Sequence, residues 1–217
     1  MQALTYCATA SIYFSLKEMF ILNRYYLSKE AYRNSYDINM RNKKDKKFTF
    51  YSLYGLGQIL TQNELAILLN LTSKFYSEGK TLNLVGIIND LILKEVIMFA
   101  SSKNITLKTH HKNLLYMPFI IEVNNASLFP ELLQLIWDRA TNDPLCWFWS
   151  NKKYEIEDII ENSTGYLLFD VEQIEPIFIR GLDGDELLIY FNDNPLYEEK
   201  IKNSINSFHN NLYIYLT

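Results

Sequence analysis

Glycine and proline punctuate this chain sparsely, with seven and five in 217 residues. Glycine enters left-handed backbone without a steric cost, and proline presets the first corner of a turn. With so few of either, the sequence predicts long elements rather than many short strands. Apolar residues make up 48% and charged residues 21%. That is enough apolar material for one good core, or two small ones, and too much for a disordered chain. The chain reads as a single domain over 1–217, with a subdivision into a helical part, 1–104, and an α+β part, 105–217.

The N-terminal half carries apolar residues on helical spacing. Ala8 to Tyr36 sets Ile12, Leu16, Met19, Phe20, Tyr26 and Leu27 on one face, with a second short helix after Ser28. Arg41 to Lys47 is a basic loop. Phe48-Thr49-Phe50-Tyr51 suggests a strand, while Gly55 and Gly57 mark a turn. Thr61-Gln62-Asn63-Glu64 is a capping box that starts a helix, and Gly79 suits its end. A further helix is expected from about Leu82 to Ser102, with Leu84, Ile87, Ile88, Leu91, Ile92, Val96 and Phe99 on a broad apolar face.

From Ile105 the period changes to two. Ile105–Thr109 and Met117–Val123 read as strands. Ser127 would cap a helix through about Ala140, with Pro130 tolerated in its first turn. The run Cys146-Trp147-Phe148-Trp149 follows a turn at 142–144, and a helix is expected over about Lys153–Asn162. Gly165–Asp170, Ile174–Arg180 and Glu186–Phe191 read as strands, the last two joined by an Asp183-Gly184 hairpin turn. Asn194 caps a last helix, and Leu212–Leu216 is an edge strand. The expected fold class is therefore α+β. A helix-rich N-terminal half packs against a C-terminal half with a small antiparallel or mixed sheet and peripheral helices.

Charge is divided unevenly along the chain. Residues 155–199 hold thirteen acids and one base, Arg180, a formal −12. Residues 1–154 hold eighteen bases and twelve acids. Such asymmetry bears on partners rather than on fold. Helix first turns and turn positions account for single acids, including Glu155, Glu157, Glu198 and Glu199. They leave the missing counter-charge unexplained. Either the basic first 154 residues meet it, or a basic partner does.

Other candidates weigh less. Asp183-Gly184-Asp185-Glu186 has the carboxylate density of a cation loop without the EF-hand spacing, so a hairpin turn is the expectation. His110 and His111 are adjacent and would point to opposite faces of a strand. Cys146 lies in an apolar run and reads as a buried thiol rather than a nucleophile. The tryptophans Trp137, Trp147 and Trp149 cluster within thirteen residues. Core packing is their usual role, and an interface anchor is the alternative. No cofactor or metal is expected.

Two isolated cysteines, with neither a leader nor a membrane-length apolar run apparent, point to the cytoplasm. The first functional expectation is a non-enzymatic binding protein that occludes a basic protein, such as the immunity protein of a bacterial toxin. Its contact residues would be Trp147, Trp149, Asp170, Glu172, Glu175, Asp183, Asp185 and Glu186, with no nucleic acid and no membrane involved. An enzyme with a dispersed His/Asp site and a structural assembly subunit are the alternatives.

Overall fold

A computed structural model of the chain describes residues 19–27, 32–33, 38–41, 48–56, 69–76, 79–110, 117–137, 143, 145–161, 166–170, 176–180, 186–192, 195–208 and 213–215. Its elements run β1 (Met19–Leu27), β2 (Tyr32–Arg33), β3 (Ile38–Arg41), β4 (Phe48–Leu56) and a helix α1 at 69–75. Then come β5 (Thr81–Ile88), α2 (Asp90–Ser102), β6 (Thr106–Thr109) and β7 (Met117–Val123). A 3-10 turn, Ala126–Leu128, leads into α3 (Phe129–Trp137), followed by β8 (Leu145–Ser150), α4 (Ile156–Ile159), β9 (Leu167–Asp170) and β10 (Ile177–Arg180). The chain closes with β11 (Glu186–Asn192), α5 (Pro195–Phe208) and β12 (Tyr213–Tyr215).

Among the described residues, nine strands form one sheet in the order β12-β1-β4-β11-β10-β8-β5-β7-β6. Every neighbouring pair is antiparallel except β1 with β12. A second sheet, β2-β3-β9, pairs β3 with β9 in parallel.

Across β11, β10, β8, β5 and β7 both faces of the large sheet are covered, and strand alternation decides which residue goes where. The first face carries Leu82, Leu84, Phe119, Ile121, Trp147, Trp149 and Phe178. They pack under α1, α2, α3 and α5 through residues such as Phe75, Val96, Leu133 and Ile201. The second face carries Val85, Ile120, Cys146, Phe148, Ile179 and Leu188. It packs under Ile38, Leu167 and Phe169 of the small sheet and Ile156 and Ile159 of α4. The result is three layers: helices, large sheet, and small sheet with α4.

The expected α+β fold with a helix-rich N-terminal half and a small sheet is overturned. The large sheet dominates, and β1, β4 and β5 of the N-terminal half are built into it. Met19–Leu27, read as helical, is a strand paired residue for residue with β4. Its Phe, Ile, Tyr and Leu content suits a pleated surface as well as a helix face. Gly55 lies inside β4 opposite Phe20 rather than in a turn.

The expected helix from Leu82 to Ser102 divides in two. Thr81–Ile88 is strand β5, and only Asp90–Ser102 is helical. A strand buried on both faces reads as a continuous apolar run, and periodicity cannot tell it from a buried helix. Asn89 marks the division, its side chain accepting from the N–H groups of Leu91 and Ile92. Asn125, rather than Ser127, caps the turn before α3. The helix expected over Lys153–Asn162 is reduced to Ile156–Ile159.

The strands expected near 105–109, at 117–123, before and after the 181–184 turn, and near 212–216 are all present. Gly79 adopts φ +85° just before β5, four residues past the end of α1. The capping box at 61–64, the basic loop at 42–47 and the Asp183-Gly184 turn lie outside the described residues.

Candidate functional site

Trp147 and Trp149, expected as surface anchors or core residues, are 0% and 1% exposed. Trp147 stacks on Phe178 at 5.5 Å and 9°, and Trp149 meets the same ring edge-on at 5.2 Å. The indole N–H of Trp147 donates to Thr72 Oγ1 at 3.1 Å. Trp137 meets Trp147 edge-to-face at 6.2 Å. Odd-numbered positions of β8 face the helices, so the cluster forms the centre of the first core layer. Its ring faces are occupied by the chain's own residues.

The acidic stretch does not form one surface. Glu155, Glu157 and Asp158 stand in or beside α4, which packs on the second face of the sheet. Glu198 and Glu199 stand on α5, which packs on the first face through Ile201 and Tyr197. Of the expected contact residues, Asp170 ends β9 in the same layer as α4, and Glu186 opens β11 opposite Tyr54. Glu172, Glu175, Asp183 and Asp185 lie outside the described residues.

Arg180, the single base of residues 155–199, is withdrawn from the surface. It is 5% exposed, lies 4.0 Å from the Trp137 ring centroid and donates to the Trp137 carbonyl. That places a buried cation on the C-terminal end of α3, where the helix dipole favours it.

The sequence reading missed a polar constellation on the second face. Lys108 Nζ lies 2.9 Å from Glu122 Oε1 and 3.0 Å from Glu155 Oε1, and donates to the Tyr154 carbonyl at 2.7 Å. Glu122 is 5% exposed, whereas Glu155 is largely in solvent. Burial works to lower the Lys108 pKa, but the bonds to both carboxylates outweigh it and raise the value above that of an ordinary lysine. His110 Nδ1 stands 3.4 Å from a Glu157 carboxylate oxygen. His111 lies outside the described residues.

Asn83, 0% exposed, stands opposite Glu122 in the strand register, and neither end of its amide has a hydrogen-bond partner. On the next layer Asn39 donates to Glu161 at 2.9 Å. A signal for these residues was present: Asn83 and Glu122 each interrupt an apolar run. What the sequence could not supply was that β5 and β7 are neighbours.

The chemistry open to these groups is restricted. A lysine held charged by two carboxylates is neither a nucleophile nor a base. Cys146 is a free, fully buried thiol, and burial pushes its pKa up, away from the reactive thiolate. Among the described residues no three His, Cys, Asp or Glu side chains converge as metal ligands. No described helix is long and apolar enough to cross a membrane. What remains is an exposed acidic ridge, 64% exposed at Glu155 and 70% at Glu157, on a short helix tied to the sheet by Lys108.

Comparison of the chain with protein-family models, with curated proteins and with solved structures found no match.

Proposed function

We propose that the chain is a non-catalytic binding protein that engages a basic protein partner through the acidic layer formed by α4 and the residues that follow it. The position of Arg180 carries this reading. The one base within residues 155–199 is in the core, so it does not offset the acids of that segment at the surface. Lys108 meets Glu155, and His110 approaches Glu157, yet both carboxylates remain about two-thirds exposed. An acidic ridge of this kind raises the association rate of a positively charged partner and makes that rate salt-sensitive.

Occlusion of a basic target, as by a protein that neutralises a toxin, needs only such a surface and no reacting group. The contact would rest on α4 and on Asp170 in the same layer, with Glu172, Glu175, Asp183, Asp185 and Glu186 as further acids. Trp147 and Trp149 lie in the core on the opposite face of the sheet from that layer and form no part of the contact. A buried free thiol fits a reducing, cytoplasmic setting.

The test is parallel affinity capture on the wild-type chain and on a Glu157→Gln/Asp158→Asn variant, eluted with salt and read by mass spectrometry. One dominant basic protein should elute from the wild type at moderate salt and be depleted on the variant. Capture that is equal on both, or recovery of the bait alone, overturns the reading.

A further inference from the structure

We infer that the second face of the large sheet holds an internal binding site for one water molecule, between Asn83 of β5 and Glu122 of β7. Asn83 is fully buried, and among the described residues neither Oδ1 nor Nδ2 of its amide has a hydrogen-bond partner. In the strand register it stands opposite Glu122 on one side and Phe148 on the other. Val85 and Ile120, the next residues along this face of β5 and β7, are apolar and buried. An unpaired amide in such a place is rare, because it has given up its bonds to solvent and gained none in exchange.

The amide requires a donor for Oδ1 and an acceptor for Nδ2. The Glu122 carboxylate only accepts, so it could serve Nδ2 and never Oδ1. Phe148 offers neither. Lys108, the cation bonded to Glu122, has three protons to donate. They go to Glu122, to Glu155 and to the Tyr154 carbonyl. Thr81, the next side chain on this face of β5, donates its hydroxyl to Asn124. None of these groups is left to complete Oδ1.

Charge and size select the occupant. Lys108 already neutralises Glu122, so a second cation would meet the ammonium, and an anion would meet the carboxylate. Val85, Ile120 and Phe148 offer a larger polar molecule no further anchor. A water donates one proton to Asn83 Oδ1 and the other to Glu122, and accepts from Asn83 Nδ2. That makes about three bonds, the usual number for an internal water. It also joins β5 to the chain of groups that ties α4 to the sheet. Side-chain exposure falls along that chain from 64% at Glu155 through 22% at Lys108 to 5% at Glu122, so polar groups run unbroken from solvent towards the amide.

Two measurements on the full chain test this. One is a crystal structure at a resolution that shows ordered water. The other is the nuclear Overhauser contact between the Asn83 side-chain amide protons and water in isotope-labelled protein. The crystal should show one water within hydrogen-bond distance of both Asn83 Oδ1 and the Glu122 carboxylate. The Overhauser contact should have the sign of a water held for longer than the chain takes to tumble. Asn83→Leu, close in size and without polar atoms, should lose the water and keep the Lys108–Glu122 contact. If that variant fails to fold, the wild-type measurements decide alone. A protein donor on Asn83 Oδ1, such as the Ser150 hydroxyl, overturns the inference. A dry amide in the wild type, an ion in the water's place, or a water unchanged in Asn83→Leu overturns it equally.

Discussion

Asp143 is 2% exposed just before β8, and its carboxylate accepts the backbone N–H of Asn89, the residue that caps α2. Burial raises its pKa above the ordinary carboxylate value, and the Asn89 bond offsets only part of that rise. A carboxyl whose folded pKa lies above its unfolded value favours folding while protonated. Its contribution is therefore greatest below the unfolded value and is lost as pH rises through the folded one. Asp143→Asn keeps an oxygen for the Asn89 N–H and removes the charge. The variant should be more stable than the wild type at pH 7, with the difference vanishing in acid. Thermal melts from pH 3 to pH 8 check this, at about 2–4 °C for each kcal/mol relieved. A variant that melts lower than the wild type at pH 7 would contradict it. The sequence placed a turn at 142–144 but offered no sign that its Asp reaches a helix start more than fifty residues earlier. Asn104 teaches a related lesson. It holds φ +53° between α2 and β6, a left-handed position that asparagine tolerates. A left-handed turn position is thus filled without glycine, one way in which a glycine-poor chain forms the many strands seen here in place of the long elements expected.

At the scale of elements, α4 shows how a tertiary contact replaces local propensity. A four-residue helix is far too short to be stable by itself, and its cap residue Glu155 makes no side-chain capping bond. Lys108 of β6 holds it instead, bonding the Tyr154 carbonyl and the Glu155 carboxylate while it neutralises Glu122 of β7. Lys108→Met should destabilise the chain by roughly 3 kcal/mol, the low end for removing one partner of a buried ion pair, since Lys108 is itself 22% exposed. Most of that loss should return in Lys108→Met/Glu122→Gln, because no buried charge then stands alone. Urea unfolding of the three proteins measures both steps, and a double variant as weak as the single one would show that the charge is not the cause. Periodicity served well where one strand face meets a different environment from the other, as in Ile105–Thr109. It failed at β5, where Leu82, Leu84, Val85 and Ile87 are all buried and the run reads the same as a helix face.

For the whole molecule, the strand order makes a prediction about stability in space. β8, β10 and β5 lie inside the sheet and are covered on both faces, whereas β6 and β12 are its edges. Amide exchange should be slowest in β5, β8 and β10 and faster by orders of magnitude in β6 and β12, since edge strands open without breaking the core. Uniform protection across the sheet would contradict the layered arrangement. By itself, the sequence determined the strands that follow residue 105, the proline at the start of the last helix, and the acidity of residues 155–199. Each of these rests on local patterning, which neighbours in the chain suffice to create. Only the tertiary structure decided that apolar runs in the first half become strands, because an apolar run satisfies helix or strand alike until a hydrogen-bonding neighbour selects one. It also decided that the acids part company, with α4 on one face of the sheet and α5 on the other. Charge along a chain is a sum over residues, whereas the field a partner meets depends on where the fold carries them.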